Sequence, residues 1–199
     1  MIRSREELDE YLQRDREADG ITREKPRLIG GGYEKKLWQF KIFLRKAEYW
    51  SEKSRHARED GAGVSVRLYA ELIAKYYSVR KNRLGGQLGF SIECGCFGPG
   101  LSIPHYGTIV VHSRARIGAD CSLQAGVTIG LKKAGSKDAV PVIGDRCAIG
   151  TGAKILGQVR IGDDVTIGAN AVVVKDIPDH AIAAGVPAKV IGWSDGRGE

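Results

Sequence analysis

The stretch IGDRCAIGTGAKILGQVRIGDDVTIGANAVV, residues 143–173, decides the architecture of this chain. Ile143, Ile149, Ile155, Ile161, Ile167 and Val173 recur at a strict interval of six, and most are followed directly by Gly. A helix repeats every 3.6 residues and a strand every 2, so this interval counts a larger unit, one short flat segment plus the corner after it. The same phase continues upstream at Ile117, Leu123 and Ile129. The jump from Ile129 to Ile143 leaves room for one hexapeptide plus an excursion over 131–142, rich in Lys, Gly and Ser, which is predicted to be a projecting loop. Four residues after an anchor stands a small or branched residue (Cys121, Val127, Cys147, Ala153, Val159, Val165, Ala171), so each side of the coil sends two residues inward. Gly118, Gly130, Gly144, Gly150, Gly162 and Gly168 follow anchors, where the chain bends or backbones approach too closely for a Cβ.

With these residues in place, the repeat resembles the hexapeptide-repeat acyltransferases. The resemblance implies a mainly-β fold, a left-handed parallel β-helix of triangular section with three hexapeptides per turn and an N-terminal α-helical cap. The handedness comes from the resemblance alone, because parallel crossovers are as a rule right-handed. Turns should stack at about 4.8 Å. The stretch AGVPAK, residues 184–189, closes the coil as it does in many hexapeptide acetyltransferases.

Before about Leu84 the sixfold repeat is absent and helical periodicity replaces it. Ser4 with Glu7 forms a capping-box pattern ahead of Leu8, Tyr11 and Leu12, predicting a helix that ends near Ala18. Pro26 and Gly30-Gly31-Gly32 read as a linker. Leu37, Phe40, Ile42, Phe43, Leu44, Ala47 and Trp50 give a second helix, and Val66, Tyr69, Leu72, Ile73, Tyr76 and Tyr77 a third. The chain thus divides into a helical cap and assembly region at 1–84, a β-helix acyltransferase domain at 85–192 and a polar tail at 193–199. A cap has a physical reason, since the open end of a solenoid exposes unpaired strand edges.

The chain of 199 residues carries a formal charge of +7, yet its basic residues are interspersed with acids along the helices, which argues against a nucleic-acid partner. The exceptions are Arg80-Lys81-Asn82-Arg83 and the loop lysines Lys132, Lys133 and Lys137, which read as sites for a phosphorylated ligand or an anionic acceptor. No apolar run is long enough to span a membrane and the charged start MIRSREELDEYL is unlike a signal, so a cytoplasmic location is expected. Cys121 and Cys147 fall at inward small positions, whereas Cys94 and Cys96 form a Cys-x-Cys pair with no second pair to complete a zinc site.

The candidate chemistry centres on His105, in the stretch LSIPHYGTIVV at 101–111, which resembles a segment of serine acetyltransferases and capsule-type acetyltransferases. The resemblance makes His105 the general base. An imidazole can take the proton of a hydroxyl as it attacks a thioester, so one well-placed His suffices for direct transfer. No G-x-S-x-G pattern points to a covalent acyl-enzyme. Glu93 is the candidate for orienting His105, in place of an Asp that this chain lacks. The resemblance further implies acetyl-CoA as cosubstrate, lodged between coils of a homotrimer. Gly130, Thr151, Gly152 and Ala169 would line its groove, and Lys189 would lie near its phosphates. Tyr106, His112 and Gln124 are the acceptor candidates, with Thr128 beside them. Pro104 stands where serine acetyltransferases have an Asp, and Ala139-Val140 where they have an Arg-His pair, so a saccharide hydroxyl competes with L-serine as acceptor. The tail lacks a terminal Ile, so no sulfhydrylase complex is expected, and trimers pairing through the cap is left open. No metal is expected, since a zinc hydratase on this coil would have only His105 and His112 as ligands, and a non-catalytic scaffold is the remaining alternative.

Overall fold

The computed structural model describes residues 2–20, 32–133 and 140–194. Three helices, α1 (Arg5–Ala18), α2 (Tyr33–Glu59) and α3 (Val64–Leu88), precede a coil of short strands that begins with β1 (Phe90–Ile92). Ser4 caps α1, its hydroxyl accepting from the Glu7 amide at 3.0 Å. Gly89, at φ +84°, ends α3 and turns the chain directly into the coil. The linker segment around Pro26, Gly30 and Gly31, the loop tip with Lys137 and Ala139, and the last five residues of the tail lie outside the described residues.

The coil is a left-handed parallel β-helix with three flat faces. One face stacks β1, β2 (Ile109–Val111), β5 (Thr128–Gly130), β8 (Lys154–Leu156) and β11 (Val172–Val173). The second stacks β3 (Arg116–Ile117), β6 (Val142–Ile143) and β9 (Arg160–Ile161), and the third β4 (Ser122–Leu123), β7 (Ala148–Ile149), β10 (Thr166–Ile167) and β12 (Ala181–Gly185). Register converts the sixfold interval into columns. Val111, Ile129, Ile155 and Val173 lie above one another on the first face, and Ile117, Ile143 and Ile161 on the second. These columns and the small residues four positions after the anchors are fully or nearly fully buried, which makes the coil interior one continuous core. The final strand, β13 (Ala188–Trp193), runs antiparallel on β12 and closes the lower end of the third face.

The corner glycines are fixed by what the next turn places over them. Asp145 Oδ1 accepts from the Ala119 amide at 2.7 Å, Asp163 Oδ1 from the Asp145 amide at 2.8 Å, and Asp179 Oδ1 from the Asp163 amide at 2.9 Å. Each carboxylate crosses the glycine of the turn above, so a Cβ on Gly118 or Gly144 would strike it. The same Cβ on Gly144 would also stand 2.7 Å from the Gly162 backbone.

The cap seals the upper end with buried charges rather than with another strand. Arg45, wholly buried, donates to both oxygens of Asp15 at 2.8 and 3.1 Å and to Glu48 at 3.1 Å. It also donates to the carbonyls of Phe97 at 3.0 Å and Gly98 at 2.7 Å. Asp15 accepts from the Leu101 amide at 2.8 Å and Glu48 from the Gly95 amide at 2.8 Å. Lys41 bridges the carbonyls of Asp15 and Leu101 and pairs with Asp19. Burial opposes the charge on Arg45, yet the Glu48 and Asp15 carboxylates more than offset it and raise its pKa. For Lys41 burial outweighs Asp19 and lowers it. The amides of Gly95 and Leu101 and the carbonyls of Phe97, Gly98 and Leu101 thus each have a charged partner in the helices, which removes the cost of leaving them unpaired.

Two outcomes follow from this packing. Asp15→Ala, which leaves Arg45 buried beside one carboxylate and the Leu101 amide unpaired, should cost about 3–5 kcal/mol, read as a lower urea midpoint. Gly144→Ala should cost about 1–3 kcal/mol from overpacking, read as a lower Tm with the β-sheet circular dichroism retained.

Candidate active site

The coil corner that joins the third face to the first gathers most of the sequence-predicted site. His105 and Tyr106 sit on this corner in the first turn, exposed. Backbone bonds then descend turn by turn: Gly107 N–H to Leu88 O at 2.9 Å, Gly126 N–H to Thr108 O at 2.7 Å, Gly152 N–H to Ala125 O at 2.9 Å and Asn170 N–H to Thr151 O at 2.7 Å. Thr151, Gly152 and Ala169 therefore lie in one vertical line beneath the segment that carries His105. Small residues are required there: a Cβ on Gly107 would fall 2.9 Å from that of Ala125, and one on Gly126 3.1 Å from the Gly152 backbone. Lys189 reaches the same line from below, since β13 pairs it with Ala184, whose Cβ lies against Gly168. Gln124 ends the third-face side just before this corner, its amide donating to Ile149 O at 3.0 Å. Thr128 faces outward on the adjoining side, where its hydroxyl accepts from Lys154 Nζ at 3.1 Å.

Three candidates stand elsewhere. His112 and Gly130 share a position at the opposite end of the first face, with the Gly130 Cβ direction 3.6 Å from His112 Cβ. One strand of about 3.3 Å per residue separates them from the His105 corner. His112 Nδ1 accepts from the Arg114 amide at 3.2 Å. Glu93 follows β1 at that same far end, and its carboxylate accepts from Lys81 Nζ at 3.3 Å. Within one chain Glu93 therefore does not orient His105. Lys81 itself is buried and donates to Ile92 O at 2.7 Å, so of the basic run only Arg80 and Arg83 face outward. A third coil histidine, His180, lies 3.8 Å from the Asp164 carboxylate on another corner, in line with the Arg146–Asp164 pair.

The reading from sequence did not single out Tyr33. Its ring meets that of Tyr106 edge-on at a centroid distance of 5.4 Å, so the start of α2 packs on the residue next to His105. The thiols of the Cys94–Cys96 turn are held neutral, burial pushing Cys94 up to about 12 and Cys96 up to about 11. Since the unfolded thiols lose their protons first, they favour unfolding progressively as pH rises above about 9. Alkylation by iodoacetamide at pH 8 should leave both unmodified in the folded protein and reach both in denaturant, checked by peptide mass spectrometry.

Comparison with known proteins bears on this geometry. Residues 141–175 match the family model described as bacterial transferase hexapeptide (six repeats). Over that stretch the chain carries the same hexapeptide repeat. The coil is similar in sequence to serine acetyltransferases. It is 44% identical over 107 residues to the one from Mycobacterium tuberculosis, covering 53% of this chain and 47% of that protein. To the one from Helicobacter pylori J99 it is 41% identical over 104 residues, covering 52% and 61%. The chain thus spans about half the length of these relatives. Among solved structures, Neisseria gonorrhoeae serine acetyltransferase superposes with a TM-score of 0.65 at 27% identity, covering 94% of this chain and 66% of that one. A Brucella abortus serine acetyltransferase in complex with coenzyme A gives 0.66 at 25%, covering 96% and 70%. No helix among the described residues is long and apolar enough to cross a membrane.

Proposed function

We propose that this protein is an acetyl-CoA-dependent serine O-acetyltransferase that uses His105 as general base. The observation that carries this reading is the corner itself: an exposed imidazole at the head of a line of Gly, Ala and Thr residues, in a coil 41–44% identical to serine acetyltransferases. The thioester carbonyl is attacked directly by the acceptor hydroxyl. His105 takes the hydroxyl proton as the C–O bond forms and returns it to the departing CoA thiolate, so neither an acyl-enzyme nor a metal is needed. Backbone amides and carbonyls along Thr151, Gly152 and Ala169 suit the narrow pantetheine arm, and Lys189 stands on the side expected for the nucleotide phosphates.

Gly130 and His112 lie at the other end of the face, so they join this groove only if a second copy brings its own far corner alongside. That requirement supports a homotrimer as the working unit, with Gly130 of one copy facing the line of the next. Tyr106 and Gln124 flank His105 and are assigned to the acceptor. The sequence departures at Pro104 and Ala139-Val140 point toward a saccharide, but the relatives are serine acetyltransferases and L-serine is the preferred acceptor. A cytoplasmic location belongs to the same reading, since acetyl-CoA is supplied there.

In His105→Ala, release of CoA thiol from acetyl-CoA and L-serine should fall by about 10²–10⁴-fold, while CoA affinity by calorimetry and the circular dichroism spectrum stay as in the parent. Full activity of that variant would overturn the assignment of the base. Failure of the parent to bind CoA would overturn the enzyme in favour of a scaffold.

A further inference from the structure

Helix α3 is turned inside out. It packs on its neighbours through Ala70, Ala74, Lys81 and Gly85, while its large apolar side chains point to solvent. Leu68, Leu72, Tyr76 and Val79 are 52–67% exposed, and Tyr69 beside them 59%. Their positions, four, four and three residues apart, put the first four on one stripe of the helix, about 16 Å long. The neighbouring α2 does the opposite and buries Leu37, Phe40 and Leu44 in the core shared with the coil. A helix that hides alanine and lysine and displays leucine and tyrosine carries a surface for a partner.

The borders of the stripe are basic. By helical rotation Lys75 falls on one edge and Arg80 on the other, and Arg83 continues the line one turn beyond Val79. All three are exposed, and among the described residues none of them is in an ion pair. The Arg80 guanidinium lies 5.8 Å from the centre of the Tyr76 ring, which keeps it at that edge. Glu71, the one acid of α3, is committed to Arg58 at 2.7 Å.

This composition selects among occupants. A second copy docked through the same face would add its own Lys75, Arg80 and Arg83 to these, with no free carboxylate on α3 to offset them. An anionic phospholipid surface answers both features. Its acyl boundary takes the leucines and Val79, tyrosine rings sit at headgroup level, and the long Lys and Arg stems carry their charges to the phosphates. The net charge of +7 acts in the same direction. Since α3 is not apolar enough to cross a bilayer, it would lie in the plane of the surface.

We propose that the outer face of α3 docks this protein on an anionic phospholipid surface, with Leu68, Leu72, Tyr76 and Val79 in the interface and Lys75, Arg80 and Arg83 on the headgroup phosphates. The inference goes beyond the acetyltransferase reading and does not rest on it, because no residue of the His105 corner takes part.

The test sediments the full chain with vesicles of phosphatidylglycerol and phosphatidylcholine in equal parts, and with vesicles of phosphatidylcholine alone. The parent should bind the anionic vesicles about tenfold or more tightly than the neutral ones. L68Q/L72Q and K75Q/R80Q/R83Q should each weaken that binding about tenfold, with Tm and circular dichroism close to the parent because all five side chains are exposed. K75R/R80K/R83K keeps the charges and should bind as the parent does, which separates loss of charge from loss of structure. Failure of the parent to bind anionic vesicles, equal binding to neutral ones, or unchanged binding by either glutamine variant overturns the proposal. So does light scattering in which L68Q/L72Q splits an assembly of the parent without lipid, since the face then belongs to a second copy. Thiol release from acetyl-CoA is read separately, so that failure of the docking and failure of the acetyltransferase reading are told apart.

Discussion

The structure depends on the buried contact between Arg45 and Asp15. A parallel coil satisfies its backbone groups from the turn above and the turn below, so the first turn has no donor or acceptor on its open side. Here that side meets α1 and α2, which bring buried charges to the contact beside the apolar Leu37, Phe40 and Leu44. Arg45 supplies donors to Phe97 and Gly98, Asp15 an acceptor to Leu101 and Glu48 one to Gly95. The two charges neutralise each other while each spends its remaining capacity on the coil edge. Such a network tolerates no half measures, because removing one member leaves its partner both charged and buried.

From this seal the placement of the candidate site follows. The end of α3 passes into β1 through Gly89, and the bond from Gly107 to Leu88 fastens the His105 corner to the same junction. The corner is thus held from above by helix and from below by the stacked turns. An exposed imidazole on a backbone held this way is both accessible and fixed in direction. The line of Thr151, Gly152 and Ala169 beneath it consists of small residues that leave the corner surface open.

How much of this was legible in the sequence differs by element. The coil was readable because its period is geometric: Ile143 to Val173 can be in phase only if each hexapeptide occupies one side of a prism. The helices of the cap were readable from apolar spacing and from Ser4. The sealing charges were not, because Asp15, Arg45 and Glu48 look like surface residues on amphipathic helices until the coil edge is set against them. Lys81 misled for the same reason: within a basic run it read as a phosphate contact, and the carbonyl of Ile92 draws it inward instead. For the site, His105 and the Thr151–Gly152 corner fell together as the period requires. Glu93 and His112 did not, since sequence proximity says nothing about which end of a three-residue strand a flanking residue occupies. Tyr33 was invisible because its contact with Tyr106 crosses the boundary between cap and coil.

The reversed strand β13 has a bearing on solubility. In-register parallel β-stacking with columns of isoleucine is the geometry of a cross-β fibril, and an unprotected terminus would template the addition of further chains. One end of this stack is plugged by salt-bridged side chains, and on the third face of the other, Ala188–Trp193 doubles back in the opposite sense. An incoming parallel segment finds no matching edge there, so the polymer-like spine is kept to the length of a single molecule.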